Sequence, residues 1–233
     1  MTSARPRFLT TLGLVLIVAG AGLGLFYLQQ RPAQSNSKQR GADSRLISDD
    51  QKIAEAEQRI FASVPQKQAA YEKAFVELNA AGMVHSTSLP TRDSVHKREE
   101  MVKRFDDANT ALEEVFKNAE ETLRSELFRR GFSEYTSARA AARFAQRANV
   151  ELILRIRACD RQSNAAFLQL LDLLDARWGT WKPAAEDRLL FNNTADANAY
   201  NTLRQQIVEI VAIQQAAQDE VQQRRHDAAT PKF

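Results

Sequence analysis

Three histidines, one cysteine, a set of acidic pairs and a row of arginines are the side chains of this 233-residue chain whose types could do chemistry. His85, His96 and His226 lie in separate segments, and Asp93-x-x-His96 is the nearest approach to a metal-ligand pair. A metal site inside a helical bundle takes several inward carboxylates and histidines from facing helices. The inward positions read here as Phe, Leu, Ile, Val and Ala, so no metal and no cofactor is expected. Cys159 falls on an apolar helical stripe, where a free cysteine serves as a small hydrophobe. A nucleophilic role needs a histidine base beside it.

The pairs Asp106–Asp107, Glu113–Glu114 and Glu120–Glu121 recur every seven residues. Indexed on the apolar seam of their helix, they fall on its outer face. A solvated carboxylate does not acquire the shifted pKa that acid–base catalysis requires, so the pairs read as solubilising charge. Arg139, Arg143 and Arg147 form a stripe that suits phosphate or an acidic partner, or neighbouring acids of the same chain.

One segment concentrates large apolar side chains outside any helical pattern. The connector from Gly179 to Thr194 is long for a compact domain, and connectors of that length are often functional. It holds Trp181, Leu189, Leu190 and Phe191, and Trp178 stands just before it. Trp178, Trp181, Leu190 and Phe191 are therefore the candidate docking residues, since exposed aromatics anchor protein partners. The alternative is that they fold back and cap the open end of a bundle. Asn192-Asn193-Thr194 also matches a glycosylation sequon.

The elements that must position these residues read as long helices separated by glycine. Gly82, Gly131 and Gly179 each end a stretch of helical periodicity, where glycine takes the left-handed cap conformation. The first helix opens on Ser48-Asp49-Asp50-Gln51, a capping box. It carries Ile53, Ile60 and Val64 on one face, is interrupted at Pro65 and continues through Tyr71, Phe75 and Leu78. A second capping box at Ser63–Gln66 allows either one kinked helix or two abutting ones.

The second helix runs from about residue 92 to 130. Met101, Phe105, Ala108, Leu112, Val115 and Ala119 alternate spacings of four and three, the seam of a left-handed bundle. Val102, Phe116 and Leu123 broaden it, as for a helix facing more than one neighbour. Glu99, Glu113 and Glu120 precede Lys103, Lys117 and Arg124 by four residues as surface pairs. The short link Gly131-Phe132-Ser133 turns the third helix, about 134–178, back along the second. Its stripe is Phe144, Leu152, Ile156, Cys159, Ser163, Phe167, Leu170 and Leu174. The last helix, about 196–227, buries Tyr200, Leu203, Ile207, Ile210 and Val221.

Ahead of all this stands Phe8–Leu28, FLTTLGLVLIVAGAGLGLFYL, without a charged side chain. As a helix it would rise roughly 30 Å, the thickness of a bilayer's hydrocarbon layer. Arg5, Arg7 and the small residues Ala19-Gly20-Ala21 also give it the parts of a cleaved signal. The apolar run continues past them through Leu23, Leu25, Phe26, Tyr27 and Leu28, which favours an uncleaved signal-anchor. Gly20-x-x-x-Gly24 is the weak small-residue motif of paired membrane helices.

The sequence pI of about 9.1 suggests nucleic acid until the charges are placed. Residues 1–45 hold Arg5, Arg7, Arg31, Lys38, Arg40 and Arg45 against Asp43; taking these from 32 bases and 29 acids leaves 26 and 28, a net of −2. The basic excess lies beside the apolar segment, where it suits anionic lipid headgroups. No nucleic-acid partner and no small-molecule substrate are expected. A single cysteine excludes an intramolecular disulfide.

The organisation expected is thus a tail (1–7), a single transmembrane signal-anchor (8–28), a polar juxtamembrane linker (29–47), an all-α domain (48–228) and a tail (229–233). The domain is an elongated antiparallel three- or four-helix bundle, coiled-coil-like, with rods of roughly 50–65 Å by helix rise. A rod of that kind offers long faces and tips rather than a polar cleft. The function expected is a non-catalytic, membrane-anchored interaction or scaffold protein of the cell envelope, with the bulk of the chain extracytoplasmic (periplasmic) and a protein partner or self-association. The alternative is a sensory bundle that binds a ligand between its helices.

Overall fold

The computed structural model describes residues 48–82, 88–184 and 188–229. The expected membrane span 8–28, the linker 29–47, His85 and the end of the C-terminal tail lie outside them. Among the described residues no helix is long and apolar enough to cross a membrane. The described chain is mainly helical: α1 (Asp49–Ile60), a 3-10 turn (Phe61–Ser63), α2 (Val64–Ala80), α3 (Arg92–Lys117), α4 (Ala119–Arg129), α5 (Glu134–Arg147), α6 (Val150–Ala176) and α7 (Thr194–Ala229). Between α6 and α7 the strands β1 (Trp181–Ala184) and β2 (Arg188–Phe191) pair antiparallel. This hairpin is an addition to the all-α expectation.

The caps follow from local chemistry. The Ser48 hydroxyl accepts from the Gln51 amide and opens α1. Thr91 and Ser94 form a reciprocal capping box on α3, and Ser133 caps α5 through the Thr136 amide. Ser63 makes no side-chain cap, because the backbone there is already helical. Gly82, Gly131 and Gly179 hold φ of 78°, 89° and 86°, the left-handed region in which a side chain is strained.

The helices assemble as four rods. α1 and α2 form the first, α3 and α4 the second, α5 and α6 the third, and α7 the fourth; each rod packs along the next. Their sense alternates. Phe61 meets Phe116 while Glu77 meets Arg104, and Asp160 meets Gln214 while Arg177 meets Asp196. The start of α1 lies at the Gly131 turn, where Lys52 stands over the Phe132 ring and its carbonyl accepts from Arg130. The hairpin lies at the opposite end.

Three of the rods are broken, although the second and third were expected to run unbroken over 92–130 and 134–178. The first changes to a 3-10 turn at Phe61–Ser63, the second pauses at Asn118, and the third breaks at Ala148–Asn149, where Asn149 takes φ 52°. The Phe61 ring stands 5.7 Å from Phe116 and 5.1 Å from Phe144. The three breaks therefore share one level of the bundle, with mutually tilted phenylalanine rings packed at it.

The core also corrects the seam of the second rod. Its buried row is Val95, Arg98, Val102, Phe105, Asn109, Leu112, Phe116, Ala119, Leu123 and Leu127, whereas Met101, Ala108 and Val115 are only partly buried. The four-three spacing is as read, but the row is centred one position away for much of its length. Arg98 and Asn109 occupy seam positions, and a count of apolar residues alone passes over them. The stripe expected on α5 and α6 is buried at every named residue.

Candidate functional site

Two places combine unusual chemistry with a defined geometry. The first is the hairpin end. In the β1–β2 register Trp181 stands opposite Phe191 and Lys182 opposite Leu190. Directly opposed residues share a face of the ribbon. Trp181 is buried, and its indole N–H donates to the Leu174 carbonyl at 2.8 Å. Phe191 packs on Tyr200 of α7 with centroids 5.3 Å apart. These two residues cap the bundle. On the other face Leu190 is 52% exposed; Trp178, just ahead of the hairpin and 38% exposed, makes a T-shaped contact with Trp181 at 5.1 Å. The four candidate residues thus divide: two hold the hairpin down and two are presented to solvent.

The base of the hairpin is tied by charge. Arg177 donates to Asp196 at 3.0 Å, and Asn193 and Asp196 exchange hydrogen bonds that cap α7. Asn192, the acceptor position of the sequon, is exposed. One turn before Trp178, Asp175 receives both Nε and Nη2 of Arg92, at 2.7 and 2.9 Å, and lies 2.8 Å from His96 Nε2. The hydrogen bond from Arg92, reinforced by His96, holds the Asp175 carboxyl well below its usual range. His96 does not face Asp93, its neighbour at metal-pair spacing: its partner is Asp175, and Asp93 binds Lys97. Among the described residues no cluster of His, Cys, Asp and Glu could hold a metal ion.

The second place is the interior, which is not wholly apolar. Asp160 of α6 is fully buried. Its Oδ2 accepts from the Tyr71 hydroxyl of α2 at 3.1 Å and lies 3.3 Å from Arg157 Nη2. Its Oδ1 accepts from the Gln214 amide of α7 at 2.7 Å. The Arg157 guanidinium lies 4.3 Å over the Tyr71 ring, a cation–π contact. From α3, Asn109 donates to the Arg157 carbonyl at 3.1 Å. The first, third and fourth rods thus meet at one carboxylate–guanidinium pair, and the second reaches the backbone of the same arginine. Two flanking links join α3 to α6: Asn164 donates to Asp106 at 3.0 Å, and Arg161 pairs with Glu113.

The expectation of a purely apolar interior is therefore overturned, as is the outward placement of Glu113, which is buried. Nor does Glu113 pair with Lys117, or Glu120 with Arg124. Lys117 pairs with Glu114, and Arg124 with Glu121 and Glu134; Glu99 and Lys103 do meet. In the arginine stripe, Arg147 binds Glu57, while Arg139 and Arg143 are exposed.

Burial pushes the Asp160 carboxyl up, against the pull of Arg157, Gln214 and Tyr71. Burial also raises the Tyr71 phenol, which stays protonated and able to donate. Cys159 is buried, and its thiol is pushed up by the same cause. Several interior polar atoms have no protein partner among the described residues: Arg157 Nε and Nη1, Asn109 Oδ1, Ser163 Oγ and Gln214 Oε1. A signal for this node was present in the sequence. Arg157-x-x-Asp160 lies within the apolar stripe of its helix, and Asn109 interrupts the seam between Phe105 and Leu112.

Compared with family models, with curated proteins and with solved structures, the chain matches none.

Proposed function

We propose that this chain is a membrane-anchored interaction protein. Phe8–Leu28 would hold it in the bilayer as a single span, with the bundle on the extracytoplasmic side, and the hairpin end would dock a protein partner without catalysis. The observation that carries the reading is the division of the hairpin. Trp181 and Phe191 fasten the ribbon to the core, so Trp178 and Leu190 stand on a rigid support. Preformed aromatic and aliphatic anchors lose little freedom on binding, which is what a docking site needs. Beside them, Arg92, His96 and Asp175 supply a polar rim.

The test is a photo-crosslinker placed at residue 190 of the full chain in its native membrane. One discrete product is expected, lost in W178A while the bundle stays folded. A crosslink yield no higher than from an exposed mid-rod position such as Asp107 would refute docking at this end. Protease added outside intact spheroplasts is expected to digest the bundle, and protection would reverse the orientation.

The second reading, a ligand-sensing bundle, is favoured by one observation. The Tyr71–Arg157–Asp160–Gln214 node places buried polar atoms without protein partners between four helices. A thermal-shift screen of small polar molecules tests it, with D160N as the control that should abolish any shift.

A further inference from the structure

The Gly131 end of the bundle presents apolar side chains of its own. Phe128 of α4 is 61% exposed and Tyr135 of α5 is 73% exposed, and both stand about one helical turn from Gly131. They are not spare core residues. The buried row of α4 ends at Leu127, and that of α5 begins at Ser137, so their outward direction follows from helix phase.

This is also the end from which the chain departs toward Phe8–Leu28, since α1 begins against Phe132 and Arg130. Residues 29–47 can span at most about 65 Å. α7, with 36 residues, rises roughly 54 Å. Whatever shape residues 29–47 take, the Gly131 end is the one joined to them, and the hairpin stands a rod-length away at the other end of the bundle.

Most charges in this half of the bundle are paired, with Asp50 and Glu120 exposed acids outside the pairs. Asp49 binds Lys52, Glu134 binds Arg124, and Glu126 binds Arg129 and Arg130. Arg139 and Arg143, exposed on the helix that carries Tyr135, have no acid partner among these pairs and point to an anionic surface. Phenylalanine and tyrosine beside arginine is the composition that settles at a membrane–water boundary.

We propose that the Gly131 end is a lipid-contacting surface, in which Phe128 and Tyr135 enter the headgroup region of the bilayer that holds Phe8–Leu28, with Arg139 and Arg143 facing anionic headgroups. This rests on the membrane-anchored reading above. It adds an orientation: the rods stand on the membrane at this end and hold the Trp178–Leu190 face away from it. A contact beside the tether needs little intrinsic affinity, because the tether supplies a high local concentration.

The test uses the full chain reconstituted in vesicles of phosphatidylcholine and phosphatidylglycerol carrying a headgroup-attached quencher. A fluorophore is attached at F128C, at Y135C or, for comparison, at L190C, each in a C159A background with melting checked. Quenching at 128 and 135 several-fold above that at 190 is expected, and it should fall when the phosphatidylglycerol is left out. Quenching at 128 and 135 no greater than at 190 overturns the lipid contact. So does lipid-independent self-quenching that grows with protein concentration, which assigns the surface to a second copy. Flotation of the unlabelled chain after an alkaline wash separates the two levels. A chain that does not float removes the anchor and this inference together, whereas one that floats with unquenched labels removes the inference alone.

Discussion

The Gln214 amide donates to the Asp160 carboxylate at 2.7 Å and joins the last rod to the third at a point closed to solvent. Tyr71 reaches the other oxygen of the same carboxylate from the first rod. A carboxylate in such a place is tolerated because Arg157 and the two neutral donors replace the water it gives up.

Removing one member of that pair leaves the other buried and uncompensated. D160N is expected to destabilise the bundle by about 3–5 kcal/mol, and Y71F by about 1.5–3 kcal/mol, the range for a hydrogen bond to a charged group. The D160L/R157L double variant is expected to lose less than the single variants D160L and R157L together. Urea unfolding of the three sets checks this, and additive losses would show that the node is not coupled.

At the hairpin end, the difference in burial predicts unequal outcomes for the two tryptophans. W181A removes a buried ring and the hydrogen bond to Leu174, at a loss of about 3–5 kcal/mol. W178A removes one T-shaped ring contact at a partly exposed position and should cost about 0.5–1.5 kcal/mol. Paired thermal melts distinguish them.

Phe61 joins the three rods where all of them break. F61A is expected to cost about 3 kcal/mol and to loosen the Gly131 end more than the hairpin end. Amide hydrogen exchange should rise in α1, α4 and α5 and stay slow in the half of α6 beyond Asp160. Uniform acceleration would mean that the breaks do not divide the bundle.

Acid should weaken the fold through its surface pairs. Asp175 is held low by Arg92, Glu126 by Arg130 and Glu220 by Arg155. A carboxyl depressed on folding contributes stability above its unfolded value, here 3.8 for Asp175, and that contribution is lost as the pH falls through the folded value. Asp160, raised by burial, acts in the opposite sense and partly offsets the loss. D175N is therefore expected to lower the urea midpoint at neutral pH and to flatten its decline below about pH 4. An unchanged acid limb would show that the Arg92–Asp175 pair makes no difference to stability.

Helix content, the glycine stops at Gly82, Gly131 and Gly179, the Ser48 cap and the stripe on the third rod were all legible in the chain. Each depends on residues within a turn or two of one another, through φ preference, capping or the 3.6-residue period. The breaks at Asn118 and Ala148–Asn149 were not legible, because neither carries proline or glycine. The packing of Phe61 against Phe116 and Phe144 marks their common level, and that packing joins three distant segments.

The same distinction separates the two candidate sites. Sequence alone placed the tryptophans in a connector between helices and left open whether they cap or dock. Which of the strand residues cap and which is exposed was decided by strand register, a property of two segments facing each other, while Trp178, ahead of the strands, rests against Trp181. Sequence likewise set Arg157, Asp160 and Asn109 within helices whose apolar rows implied a dry interior. Tertiary structure alone brought Tyr71 and Gln214 to the same carboxylate from opposite ends of the domain. A buried charge becomes stable only when its partners arrive, and periodicity along one helix carries no information about partners on the other three.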